Sequence, residues 1–343
     1  MTVPKKYKLA LVGTDSLQAQ EVKRALETQP FPMAGIEFFD PEVKEEFSKL
    51  TDFGDEPKVI HGLAEGALEG KDLVFLAADK KTNSRIAREA PKLAFRAVIL
   101  GETLDGRGDV PPVVVGVNDD LLDRTRPWVA FSPHPVTVIL SHLFKSIVAR
   151  LGIVKAIAFV LQPASAFGGS GIDELASQSV SLLSGIPLPT DVFKQQMAFN
   201  LLSHTEKPGP DGFSPTEKRV VSEVRRVLDR PDLPLSLSVV QASLFHTYAV
   251  MCYLELEKDT DIAGLEALWL ESPYLKRTAS DEPCSVSCIS VTGKDEVFIG
   301  QIKKEGAIPR SFWVWSVADN LTRGSALNAI GIGRRLLGLG GAS

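Results

Sequence analysis

Cysteine is scarce in this chain. Cys252, Cys284 and Cys288 are the three among 343 residues, an odd and small count that excludes a secreted disulfide framework and suits a reducing cytoplasm. Cys284 and Cys288 have no second ligand pair and no histidine nearby, so no metal site is expected. Positive charge is not in excess either. Lys and Arg number 38 against 43 Asp and Glu, and the formal net charge of −5 argues against sequence-independent binding to nucleic acid. Apolar runs long enough to cross a bilayer are missing, because the most apolar region, Val136 to Leu161, is broken by His142, Lys145, Arg150 and Lys155. The start, MTVPKKYKLALVG, is basic, but its apolar stretch ends at Gly13, too soon for a signal peptide. Internal repeats and low-complexity tracts are absent. No GxSxG turn accompanies Ser132, His134 and Asp105, so a hydrolase triad lacks support.

What is there reads as globular α/β material, 44% hydrophobic and long enough for two domains. Apolar runs at Lys8–Val12, Ile36–Phe39, Leu73–Ala77 and Ala97–Leu100 alternate with helical patterns at Ser16–Glu27 and Ser84–Ala94. That rhythm predicts a parallel, doubly wound sheet with right-handed crossovers, closed by a strand at Val113–Val117. An amphipathic helix is expected from Val136 to Leu151, with Val136, Ile139, Leu140, Leu143, Phe144, Ile147 and Val148 on one stripe. The pattern then changes to longer strands of a mixed or antiparallel sheet, at Ala156–Gln162, Leu235–Gln241, Ala249–Leu256, Ser285–Val291 and Phe312–Val317. Helices are expected near Ile172–Ser184 and Pro215–Leu228, and a last one over Asn320–Leu337. Ser214, Pro215 and Glu217 form a capping-box signature at the start of the second of these.

Several stretches together resemble the aspartate-semialdehyde dehydrogenase family over nearly the whole chain. Ser316–Ala329 (SVADNLTRGSALNA) is similar to the family's DNLxxGAAxN signature, Asp109–Asn118 (DVPPVVVGVN) to DVPLVVPEVN, and Met197–His204 (MAFNLLSH) to AFNxxPH. The resemblance implies a Rossmann-like domain over residues 1–130 and an α+β dimerisation domain over 131–318, like that of glyceraldehyde-3-phosphate dehydrogenase. It also implies a C-terminal helix, within 319–343, that packs back on the first domain. A homodimer follows, or a heteromer with an active relative. NADP or NAD is the implied cofactor.

The chemistry such a family needs is a thiolate nucleophile, an acid/base group, a nicotinamide and cations for the substrate's carboxylate and phosphate. Position by position, the resemblance places the nucleophilic cysteine at Pro135, in SPHPVT, and the acid/base histidine at Tyr248, in QASLFHTY. The carboxylate-binding arginine falls on Gln241 and the phosphate-binding arginine on Asp105, a reversal of charge. Only the glutamine at Gln162 is retained. Proline forms no covalent adduct, and a phenol titrating near pH 10 is a poor base at neutral pH. His246, two positions before Tyr248, either substitutes for the lost base from the same strand face or is simply a packed or surface histidine. Cys252 on an apolar strand reads as core rather than as a displaced nucleophile.

The cofactor loop is altered too. The family's GATGxVG becomes GTDSLQA (Gly13–Ala19), in which only the first glycine remains. Asp15 with Gln18 is expected to cap the following helix, which would put a carboxylate where phosphates would lie. Asp40 is open to two readings, as a ribose ligand or as a helix cap. Gly13, Asn320 and Gly324 are the remaining positions the resemblance gives to a cofactor. The expected fold is therefore α/β, a Rossmann-like doubly wound domain plus a dimerisation domain. The expected function is a non-catalytic paralogue retained for binding or regulation. An NAD(P)-dependent semialdehyde oxidoreductase of amino-acid biosynthesis, working by altered chemistry, is the alternative.

Overall fold

The computed structural model describes residues 5–43, 49–101, 110–278 and 286–340. Asp105, Cys284 and the segment after Asp40 and Pro41 that would form its helix lie outside them, apart from Glu42 and Val43. The chain forms two compact units, one of residues 1–134 with 325–343 and one of 135–324.

The first unit is built on a seven-stranded sheet of β1 (Tyr7–Val12), β2 (Met33–Asp40), β3 (Lys49–Phe53), β4 (Glu56–Gly62), β5 (Leu73–Leu76), β6 (Arg96–Leu100) and β7 (Val129–Ser132). The order is β3-β4-β2-β1-β5-β6-β7, with every pairing parallel except β3 against β4. Strand order reverses between β1 and β5, as in a doubly wound sheet. The central strands β1, β5, β6 and β7 are mostly apolar because helices α1 (Leu17–Thr28) and α2 (Lys80–Leu93) and the C-terminal helix (Leu327–Leu336) cover the sheet.

Four expectations for this unit are corrected. Val113–Val117 is not a strand; β7 closes the sheet, and the VVV run turns over it. Apart from one bridge to β7, in which Val113 N donates to Phe131 O, its backbone is held mainly by side-chain amides. Asn118 Oδ1 accepts from the Val114 N–H, and Asn328 Oδ1 accepts from Val115 at 2.9 Å while its Nδ2 donates to Val113 O and Ser132 Oγ. The α1 cap is Ser16, whose Oγ accepts from the Ala19 N–H; Asp15 points to Lys49. The β3–β4 hairpin was not expected, and the last helix becomes α-helical only at Leu327, after a π-helical turn at Thr322–Ala326.

The second unit opens with α4 (Pro135–Arg150), preceded in the chain by α3 (Asp120–Thr125) of the first, and holds a second seven-stranded sheet. Its strands are β8 (Ile153–Gln162), β9 (Leu201–Leu202), β10 (Leu235–Ala242), β11 (Tyr248–Leu256), β12 (Leu275–Arg277), β13 (Val297–Lys304) and β14 (Ser311–Ala318), in the order β12-β13-β14-β11-β8-β10-β9. It is mixed, β8 and β10 parallel and β11 antiparallel to both β8 and β14. Helices α5 (Gly168–Ser184), α6 (Pro215–Val227), α7 (Ile262–Leu270) and α8 (Cys288–Val291) complete the unit. The α6 capping box forms as the sequence predicts, Ser214 Oγ accepting from Glu217 N and the Glu217 carboxylate from Ser214 N.

Of the expected strand Ser285–Val291, Ser285 lies outside the described residues and Val286–Val291 is not a strand. Ser287 caps the short helix α8 instead, and the strand in this region is β13.

One face of the second sheet is sealed by α4, α6 and α7 around Phe144, Leu254, Trp269 and Phe312. Registry puts Ile157, Tyr253 and Trp313 in one row of the opposite face, and Phe159 with Met251 and Trp315 in the next. Ile157, Phe159 and Trp313 are exposed there.

Candidate functional site

The positions that resemblance assigns to chemistry in the second unit come together for a topological reason. Gln162 ends β8 and Gln241 lies directly across from it on parallel β10. Tyr248 starts antiparallel β11 on the other flank of β8, one step beyond the Ala249–Leu161 pair. Residues 79 and 86 apart in sequence thus meet at one end of the sheet.

There they satisfy one another. Tyr248 Oη donates to Gln162 Oε1 at 3.1 Å, Gln162 Nε2 donates to Gln241 Oε1 at 3.0 Å, and Gln241 Nε2 donates to Ala242 O at 3.3 Å. Tyr248 is 2% exposed and Gln241 1%. Burial pushes the phenol well above its ordinary range, so it stays neutral and protonated at any working pH. A guanidinium at Gln241 would present a charged fork of donors to a carboxylate; the neutral amide gives one of its two N–H groups to a neighbouring carbonyl.

Pro135 is the first residue of α4, where its fixed φ suits a helix and its missing N–H removes a donor with no helical partner. A Cβ on Gly324 would lie 2.8 Å from Pro135 Cβ and 3.3 Å from Pro135 Cα, so the close approach of the two backbones favours glycine at 324. One turn into α4, Thr137 Oγ1 donates to buried Glu223 Oε2 at 2.8 Å, and Arg219 Nε donates to the other oxygen at 2.7 Å. Glu223 thereby neutralises the arginine next to this cluster.

His246 does not lie on a strand as expected. It is half-buried in the turn before β11, and the next residue, Thr247, has φ +71°. Cys252 sits mid-strand in the core, its thiol pushed up by burial, far from any thiolate role. Cys288 is half-buried at the start of α8, and burial raises its thiol too. Asn320 is buried with its amide engaged on both sides, accepting from Thr247 N at 3.0 Å and donating to Ser165 Oγ at 3.1 Å.

The C-terminal edge of the first sheet is where a dinucleotide would be expected. Its geometry fits the chain's own needs. Gly13, at φ +85°, is required because the chain after β5 passes so close that a Cβ would lie 2.4 Å from Ala78 N. Ser16 occupies the α1 cap, and the Asp79 carboxylate caps α2 through Lys81 and Thr82. Asp15 pairs with Lys49 at 2.6 Å, and that hydrogen bond is the main reason the ammonium is held above its usual range. Asp40 accepts from Thr14 Oγ1 and Glu42 N. Asp15, Asp40 and Asp79 stand at or just after the ends of β1, β2 and β5, each bonded within the protein, and α1 and α2 are capped from within. These residues do not fit the phosphates of a dinucleotide.

Comparison with known proteins decides the ancestry. The family model for the semialdehyde dehydrogenase dimerisation domain matches residues 144–323. The chain belongs to the aspartate-semialdehyde dehydrogenase family. The aspartate-semialdehyde dehydrogenase of Aquifex aeolicus is 26% identical over 339 residues, covering 96% of this chain and 98% of the relative. The USG-1 protein homolog of Pseudomonas aeruginosa is 28% identical over 267 residues, covering 77% and 79%. In fold, the chain superposes on aspartate semialdehyde dehydrogenase II from Vibrio cholerae with a TM-score of 0.90 at 22% identity, over 97% of this chain and 99% of that one. Among the described residues no helix is long and apolar enough to cross a membrane.

Proposed function

We propose that this family member has lost dehydrogenase activity and serves as a dimeric binding or regulatory protein. The closed Tyr248–Gln162–Gln241 chain of hydrogen bonds carries the reading. Each group the chemistry would recruit is already bonded to another protein group, and the helix start that would bear the nucleophile is Pro135. The missing thiolate, base and carboxylate cation are separate losses, and any one would lower turnover by orders of magnitude. The sheet face bearing Ile157, Phe159 and Trp313 is exposed in the single chain and falls within the matched dimerisation domain, which supports a homodimer. A heteromer with an active relative would use the same face.

The test is phosphate-dependent oxidation of aspartate semialdehyde by the purified protein, followed as reduction of NADP and then of NAD. Turnover no greater than buffer is expected. Robust turnover would refute the reading and favour an NAD(P)-dependent oxidoreductase with altered chemistry.

A further inference from the structure

The loop between α5 and β9 holds one of the most exposed aromatic residues of the second unit. Phe199 is 69% exposed, and its backbone sits in the left-handed region at φ +58°, where a bulky side chain is a genuine outlier. An unfavourable backbone and a wetted phenyl both cost free energy, so something must hold them in place.

Two buried side chains of α5 do this. Glu174 accepts from the N–H groups of Val192 and Phe193 at 2.6 and 2.9 Å. Gln178 accepts from Met197 and Ala198 at 2.6 and 3.0 Å and donates to the carbonyls of Pro189 and Gln195 at 2.8 and 3.1 Å. Ser243 Oγ then accepts from the N–H of Phe199 itself at 3.0 Å. The loop is thus rigid up to the residue that projects the ring.

The ring forms one wall of a shallow groove of about 540 Å³, which Asn200, Leu161, Leu201, Ala242, Ser243 and Leu244 also line. Leu201 is 60% exposed, and Leu183 near the end of α5 is 81% exposed. Leu161 belongs to the open face of the sheet, in the row after Phe159, so knob and groove are continuous with that face. A two-fold interface is built from one patch used twice, and so needs a projection and a matching recess on the same surface. A pre-ordered aromatic beside an apolar groove meets that need, and its ordering cost is met before association.

We infer that Phe199 anchors the contact between two copies of this chain, its phenyl seated in the second copy's groove against Leu201 and Leu244. This rests on the dimer reading above. The experiment is fluorescence-detected sedimentation of the full chain from nanomolar to micromolar concentration, comparing wild type, Phe199→Asn and Phe199→Ala, with thermal melting of each. Asn tolerates the left-handed conformation, so Phe199→Asn should fold with undiminished monomer stability while the dimer dissociation constant rises at least about thirtyfold. Ala should weaken the dimer similarly without the backbone relief. A wild-type dimer left unchanged by both substitutions would overturn this inference and leave the dimer reading standing. A wild-type chain that stays monomeric would overturn both, and pairing only on addition of an active relative would overturn the second copy as occupant.

Discussion

His142 offers a quantitative test of the second unit's interior. It lies on the buried side of α4, its ring stacked on Tyr274 at 5.0 Å between centroids, and its Nε2 has no hydrogen-bond partner. Burial, and then the positive charges of Arg323 and Lys145, press its pKa down to about 3 from 6.5. The folded-state value is the lower one. Above pH 6.5 neither state carries the proton and stability is undiminished. As pH falls below 6.5 the unfolded chain takes up a proton that the folded chain refuses until about pH 3. Stability is lost over that window at about 1.4 kcal/mol per pH unit. The loss attributable to this residue should be about 1.4 kcal/mol at pH 5.5 and about 2 kcal/mol at pH 5.0. His142→Phe keeps a ring against Tyr274 and removes the titration. Urea unfolding of both proteins, followed by circular dichroism between pH 8 and pH 5, gives the difference in stability at each pH, in which the shared carboxylates cancel. The variant should gain on the wild type by those amounts as pH falls. A difference that stays flat to within about 0.3 kcal/mol would show that His142 is not held neutral by burial.

Other predictions concern the altered site and its supports. Pro135→Cys should yield no turnover above background in the semialdehyde assay, because Tyr248 remains a buried neutral phenol and Gln241 remains bonded to Gln162; measurable activity would mean the site is intact but for its nucleophile. Thr247→Gly should stabilise the protein by about 1 kcal/mol in urea titrations, since a β-branched residue at φ +71° is replaced by one at ease there. Asn328→Ala should destabilise by about 3 kcal/mol in the same assay, through three buried hydrogen bonds to Val113, Val115 and Ser132.

How much of this could be read from the sequence depended on whether local chemistry or remote partners set the conformation. The parallel strands were legible because strands covered on both faces must be apolar throughout, and α6 was legible because Ser214, Pro215 and Glu217 are a self-contained signal. Val113–Val117 has the composition of a strand, yet past one bond from Val113 N to β7 its backbone groups bond the side chains of Asn118 and of Asn328, the latter more than 200 residues away. Propensity gave way to a tertiary contact. The β3–β4 hairpin was missed although Gly54 and Asp55, both at positive φ, mark its turn, because its strands are half polar. Asp15 was the expected α1 cap on spacing alone, but Lys49, brought in by the unrecognised β3, drew it away and left Ser16 to the task. Gln162, Gln241 and Tyr248 could be grouped only through resemblance. Their mutual hydrogen bonding was beyond reach until the register of β8, β10 and β11 was known.

The way the altered residues fit one another bears on function more than any single replacement. A degraded site ordinarily leaves orphaned donors, because its remaining polar groups were shaped for a partner that is gone. Here Gln241 meets Gln162, Tyr248 meets Gln162, and Glu223 meets Arg219 and Thr137. Groups paired in this way hold their shape with no ligand and would have to break those pairs to accept one, at about 1 kcal/mol or more for each buried hydrogen bond. Unspent interaction free energy therefore lies on the surface, in the apolar row of β8 and β14 and in the rigid loop that presents Phe199. On the proposed reading, a site satisfied from within beside a pre-ordered apolar surface suits a protein that acts by association. Its binding should be disrupted by substitutions at Phe199 and Phe159 and left untouched by those at Gln162 or Gln241.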